Sequence, residues 1–267
     1  MEEKNLIRKQ AFETFFKRFP IIILMMAIYL IITISLDFLI KAVTVSITIP
    51  IIQLCISLAS LYIIFQLLYG FNKSLIRLTN GEKVTDITCF LKDATSRFKA
   101  PLYCILRIIC IALVYVIAIL LIGTIAMMFS RTAFPENNQL LSSIQSFTII
   151  VAVFVSIIKV IPYEFSFLIL AEDEDKKVSG KEALKRSKKL LKNRVLDYIL
   201  LLLPIAGLFL VFVILITILD YYVQFSKNTT LFYGVAILLQ AFFTPIVRLI
   251  EIHYYHLLNS GNESNTK

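Results

Sequence analysis

The chain is 267 residues long, 58% hydrophobic and 17% charged, with a formal net charge of +9 and a mean hydropathy of +0.83. That balance excludes a water-soluble globular core and a disordered chain, and it suits a polytopic membrane protein. The basic excess lies beside apolar runs, so anionic lipid headgroups, not nucleic acid, are its natural counter-charge, each Lys or Arg there being worth about 1 kcal/mol.

Six apolar runs predict an all-α fold: a single membrane domain over 1–267 with spans at 20–40, 47–69, 102–129, 144–171, 195–219 and 231–257, since about 20 helical residues cross a hydrocarbon core about 30 Å thick. Ahead of the first run, Ile7, Ala11, Phe12, Phe15, Phe16 and Phe19 fall on one helical face among Arg8, Lys9, Lys17 and Arg18, predicting an interfacial helix over 4–19. The first run is short and reaches full length only with Asp37 and Lys41 at the far interface. No small-residue cleavage site precedes Asp37, so it is expected to remain as a signal anchor.

After the second span, Ile87, Phe90, Leu91, Ala94 and Phe98 make one face of a second connector helix over 85–99, capped by Thr85 and ended by Pro101. Arg107, inside the third span, is expected to snorkel to the headgroups. The fourth span carries Lys159, then Pro162 and Glu164. Charges inside the bilayer are costly unless paired or wetted, and Pro162 frees a backbone carbonyl. Lys159 and Glu164 therefore line a polar cavity, or the run is two shorter segments, or Lys159 pairs structurally with Asp197 or Glu251.

A third connector helix is predicted over 179–193. Ser179 and Glu182 have capping-box spacing. Ala183, Leu184, Ser187, Leu190 and Leu191 form its apolar face, expected to lie toward the bilayer. Lys185, Arg186, Lys188, Lys189 and Lys192 are expected to contact lipid headgroups. Asp197 sits in the first turn of the fifth span, where a carboxylate suits the helix dipole. Pro204 and Gly207 follow as a kink or close contact. Asn228-Thr229-Thr230 has glycosylation-acceptor spacing close to a span. In the sixth span, after Pro245, Arg248 and Glu251 are spaced to pair at i, i+3. His253 and His256 share that spacing, but two histidines and a glutamate fall short of a defined metal site. We expect no metal and no cofactor.

The charges set an expected orientation. Of the 27 Lys and Arg, all but Lys41, Arg107, Arg131, Lys159, Lys227 and Arg248 lie in the N-terminal segment, the second and fourth loops, or at the C-terminus. By the positive-inside rule both termini are cytoplasmic, and the Ile- and Lys-rich composition suggests a plasma membrane. The four cysteines avoid the outer loops, so no structural disulfide is expected. The three connector helices, each ahead of an out-and-back pair of spans, suggest a threefold repeat over 1–70, 71–171 and 172–257.

The stretch Leu168-Ile169-Leu170-Ala171-Glu172 followed by Glu182-Ala183-Leu184-Lys185-Arg186-Ser187-Lys188-Lys189-Leu190-Leu191-Lys192-Asn193 resembles a recurring element. It is similar to one in the membrane-domain family associated with glycerophosphodiester phosphodiesterases and in related integral membrane proteins. There a basic "A-L-x-x-S-x-x-L-x-x-G" helix precedes the fifth span. Asn193 stands where that pattern has Gly, and Tyr69-Gly70-Phe71 fits the same layout. The resemblance implies about six helices with amphipathic connectors and no activity. A TIM barrel needs about 250 residues, and no soluble segment here approaches that length.

No H-E-x-x-H, G-x-S-x-G or Walker pattern occurs. The expected function is non-enzymatic: an accessory, immunity- or stress-type membrane factor acting through a membrane-protein partner, a homo-oligomer or lipids. The alternative is a transporter or ABC-type permease subunit moving a small molecule, peptide or lipid, for which kinked spans and the Lys159/Glu164 spacing speak.

Overall fold

The computed structural model describes residues 2–46, 49–82, 88–133, 138–223 and 229–264. Thr85, at the expected start of the second connector, and Asn228 of the glycosylation pattern lie outside the described residues. Among the described residues every regular element is helical: α1 (Glu2–Lys17), α2 (Phe19–Ser46), α3 (Pro50–Thr79), α4 (Thr88–Thr95), α5 (Lys99–Ala133), α6 (Asn138–Val160), a 3-10 turn (Ile161–Tyr163), α7 (Ser166–Glu172), α8 (Gly180–Leu191), α9 (Val195–Val223) and α10 (Thr229–Ser264). Six segments within α2, α3, α5, α6–α7, α9 and α10 are long and apolar enough to cross a membrane. Their Ile- and Phe-rich sequences have only modest helix propensity in water. In hydrocarbon, however, a helix satisfies every backbone N–H and C=O within the segment.

Three boundaries differ from those expected. α3 runs ten residues past Tyr69, to Thr79. Its extension buries Phe71, Leu75, Ile76 and Leu78, so Lys73 and Arg77 belong to a packed helix, not a loop. α10 continues past Leu257 to Ser264. α4 ends at Thr95, short of the expected 99, and Leu91 and Phe98 are exposed while Phe90 and Ala94 are buried; Ile87 of the expected face lies outside the described residues. In the fourth span, Pro162 replaces one α-turn with the 3-10 turn and separates α6 from α7.

The core does not sit at mid-span. The largest fully buried side chains, among them Phe15, Tyr69, Phe71, Phe90, Phe165 and Leu170, gather at the end of the bundle where the connectors pack. α1 lies on α10, α4 on α3, and α8 on α5, α7 and the 3-10 turn. The apolar face of α8 (Ala183, Leu184, Leu191) is therefore buried against protein, not turned to the bilayer. Its N-cap behaves as the sequence suggests: Ser179 Oγ accepts the Glu182 N–H at 3.2 Å. The Glu182 carboxylate instead takes Arg186 at 2.5 Å.

Three glycines mark close approaches: Gly123 of α5 against the Thr148 side chain of α6, and Gly70 and Gly180 against backbone. A Cβ on Gly70 would stand 2.6 Å from the Phe90 carbonyl of α4, and one on Gly180 would stand 2.6 Å from the Ala100 carbonyl of α5. Toward the other end, α5 and α9 expose long apolar faces, with only 6% and 11% of their span windows buried, against 44% for α10. Faces of that kind are expected where lipid tails cover them.

Candidate functional site

Three polar clusters tie the basic end together. The first joins α9, α10 and the kink in the fourth span. Arg248 Nη1 donates to Glu164 Oε1 at 2.6 Å and to Glu251 Oε2 at 2.6 Å. The Tyr198 hydroxyl donates to Glu251 Oε1 at 2.6 Å. Glu251 is 4% exposed, Arg248 19% and Glu164 32%. The i, i+3 pair expected of Arg248 and Glu251 is thus present, and the kink at Pro162 brings Glu164 into it.

Lys159 stands apart. It is exposed, with its ammonium 5.4 Å from the centre of the Tyr115 ring. Neither carboxylate considered for it is its partner: Asp197 takes Lys4 at 2.7 Å and Glu251 takes Arg248. Residues at i and i+5 lie about 140° apart around a regular helix, and the 3-10 turn does not bring Glu164 back to Lys159.

The second cluster clamps the segment between α7 and α8. Arg97 donates to Asp173 Oδ2 at 2.8 Å, to the Lys176 carbonyl at 3.2 Å and to the Val178 carbonyl. Gln66 of α3 holds the Arg97 carbonyl in turn. Burial pushes the Asp173 carboxyl up, but the Val178 N–H at 2.7 Å and the Arg97 guanidinium outweigh it and hold the group below the ordinary aspartate range. The third cluster lies between α3 and α4. Asp93, 7% exposed, meets Lys73 at 3.3 Å and Arg77 at 2.9 Å.

Neither Asp93 nor the Arg97–Asp173 clamp is anticipated by the sequence reading. Asp93 lies at i+3 from Phe90, on the buried side of α4, which is the one signal that could have exposed it. Arg8 is a further case. Pro204 has no N–H, so the Leu200 carbonyl has no intrahelical donor. Arg8 Nη2 reaches that carbonyl at 2.9 Å and Arg8 Nε reaches the Leu201 carbonyl at 3.0 Å.

The two histidines diverge. His253 Nε2 is 3.4 Å from Thr14 Oγ1 of α1. His256 Nδ1 is 3.7 Å from Glu172, which also accepts from the Tyr255 hydroxyl. Among the described residues no group of three His, Cys, Asp or Glu is arranged to hold a metal ion. Lys185, Arg186, Lys188, Lys189 and Lys192 are all exposed. Lys188 lies 6.0 Å over the Tyr163 ring, and Arg107 is exposed on α5.

A long crevice separates α9 from α10. One cavity of about 410 Å³ is lined by Phe209, Val213, Ile216, Leu239 and Phe243. A second of about 380 Å³ shares Phe209, Phe243 and Thr244 with it and ends on Arg248. No protein-family model, no curated protein and no solved structure matches this chain.

Proposed function

We propose that this is a non-enzymatic plasma-membrane protein, with both termini cytoplasmic, that acts by presenting a fixed basic surface to an acidic partner or to anionic lipid. One observation carries the reading. The apolar side of α8 is buried in the bundle while Lys185, Arg186, Lys188, Lys189 and Lys192 all remain exposed on the other side. A basic face held rigidly loses little side-chain and backbone freedom when it meets its counter-charge.

Membership of the glycerophosphodiester phosphodiesterase membrane-domain-like group belongs to the same proposal. Its support is Asn193, whose φ of +66° is the left-handed conformation that Gly serves just after a helix end.

The test is purification in nanodiscs drawn from native membrane, with mass spectrometry of bound protein and lipid. It compares the wild type with a variant carrying Lys185→Gln, Lys188→Gln, Lys189→Gln and Lys192→Gln. A partner or anionic lipid bound to the wild type and lost from the variant is the expected result, since four such charges are together worth about 4 kcal/mol near an acidic surface. A stoichiometric ATPase retained by both proteins would replace this reading with a permease subunit.

A further inference from the structure

The crevice between α9 and α10 has a shape, a depth and a charge state that together select an occupant. Its walls are apolar for most of their length, with Thr217, Gln240 and Thr244 as the polar interruptions. An apolar cavity does not hold water, and an empty one forfeits the dispersion contacts of its lining. The crevice opens between two helices that are both long and apolar enough to cross a membrane, so hydrocarbon is the material at hand.

Its length fits one chain. Val235 and Arg248 line opposite ends, and thirteen helical residues span about 20 Å, against about 15 Å for one leaflet of a 30 Å core. Its polar end lies at the right depth. The Tyr198–Glu251 bond sets Glu251 level with the first turn of α9. Arg248, near Leu202, is then about two turns in from the start of that helix. A lipid whose phosphate meets the bundle at the start of α9 would carry its ester groups and upper acyl chain past this guanidinium.

The charges decide the headgroup. Arg248 Nη1 already lies between two carboxylates, which leaves Nη2 and Nε as the donors not engaged by described residues. No second cation is among the described residues lining this end of the crevice, and the one guanidinium is already matched by the two carboxylates. A fatty-acid carboxylate or phosphatidic acid placed beside them would add like charge where the dielectric is low, whereas an ester carbonyl would accept from Arg248 without adding any.

We propose that the α9–α10 crevice is a lipid site. It takes one acyl chain of a diacyl lipid whose headgroup carries no net negative charge, with its ester oxygens against Arg248. The proposal does not depend on the docking role of α8, because the two surfaces share no residue.

The test uses the full chain in vesicles containing a phosphatidylethanolamine with a diazirine near the end of one acyl chain. Cross-linked residues are mapped by mass spectrometry. Adducts are expected on Phe209, Val213 and Leu239 in preference to Leu121 and Phe154, which are exposed on the lipid-facing sides of α5 and α6. Ala206→Trp and Thr217→Trp fill opposite ends of the crevice, and each should lower the crevice adducts at least about tenfold, equivalent to about 1.4 kcal/mol. Protection of the buried Cys104 thiol reports that each variant is folded. A phosphatidic acid bearing the same chain should label the crevice several-fold less. Adducts spread evenly over crevice and outer positions would leave only bulk lipid and overturn the proposal. So would a second copy or another protein cross-linked in the crevice. Equal or stronger labelling by phosphatidic acid would overturn the choice of headgroup.

Discussion

Removing Arg97 should destabilise the whole basic end. Arg97 and Asp173 are 9% and 12% exposed and 2.8 Å apart, and the same guanidinium holds two carbonyls of the segment leading into α8. Breaking a buried pair by removing one partner costs about 3–5 kcal/mol. This pair lies near water, so Arg97→Leu is expected to cost about 3 kcal/mol, or about 6–12 °C in apparent Tm for a chain of this size. The chain has no Trp, but Cys104 is a fully buried free thiol. In a Cys55→Ser, Cys89→Ser, Cys110→Ser background a thiol-reactive fluorophore would therefore report unfolding through Cys104 alone. Asp173→Asn keeps an acceptor for the Val178 N–H and removes the charge. The double variant should be less destabilised than the sum of the two single variants by about 1–3 kcal/mol. The Asp173 carboxyl titrates lower in the folded protein than in the unfolded chain. Its stabilising effect is therefore complete above the unfolded value of about 3.9 and is lost as pH falls toward the folded one. The stability gap between wild type and Asp173→Asn should accordingly be flat above about pH 5 and close below it. Additivity of the two substitutions within about 0.5 kcal/mol would refute the clamp.

Further outcomes follow from the same geometry. Arg8→Leu strands the Leu200 carbonyl and should cost about 1.5–3 kcal/mol. Adding Pro204→Ala restores an intrahelical donor, so the double variant should melt above Arg8→Leu in the same thiol assay. Gly70→Ala places a Cβ 2.6 Å from a backbone oxygen and should cost about 1–3 kcal/mol. Gly207→Ala meets nothing within 4 Å and should be neutral or stabilising on the same melt. Asn193→Gly should hold or raise Tm, while Asn193→Val, with a β-branched side chain forced to φ +66°, should lower stability by about 1–2 kcal/mol. Lys159→Ala removes a single exposed cation–π contact and should change stability by no more than about 1 kcal/mol. It should also leave partner and lipid recovery unchanged in the nanodisc comparison; a loss of either would return Lys159 to the functional site.

The spans were legible because their signal is length and hydropathy, which the bilayer imposes on each segment independently of the others. The polar clusters were legible only where both partners lie on one turn, as with Arg248 and Glu251. Lys73 and Arg77 read as loop residues because charge ordinarily marks the end of a span. A helix that leaves the membrane and continues against protein, as α3 does, breaks that equivalence. Asp93 was passed over because a carboxylate on an amphipathic helix is normally assigned to the solvent side. Pro204 announced a free carbonyl at Leu200, but nothing local could say that Arg8, 192 residues earlier, would answer it.

The connectors follow one rule that the sequence only hinted at. α4 packs on α3, the span before it; α8 packs on α7, the end of the span before it, and on α5; α1 packs on α10. Each joint also has a polar tie: Asp93 to Lys73, the Ser187 hydroxyl to the Pro162 carbonyl at 2.9 Å, and Thr14 to His253. Among the described residues, the polar ties of α9 lie in its first turns: Lys4 to Asp197, Arg8 to two carbonyls and Tyr198 to Glu251. Farther along, its recorded ring contacts to α10 are Phe209 and Phe212 edge-on to Phe243. Polar contacts fix position and apolar contacts in a lipid-filled crevice fix little, because a lipid tail is as good a neighbour as a leucine. The basic end should therefore unfold as one cooperative unit. The far half of α9 should exchange neighbours within it, so substitutions such as Arg97→Leu move the whole melt while those at Val213 or Ile216 change only what lies in the crevice.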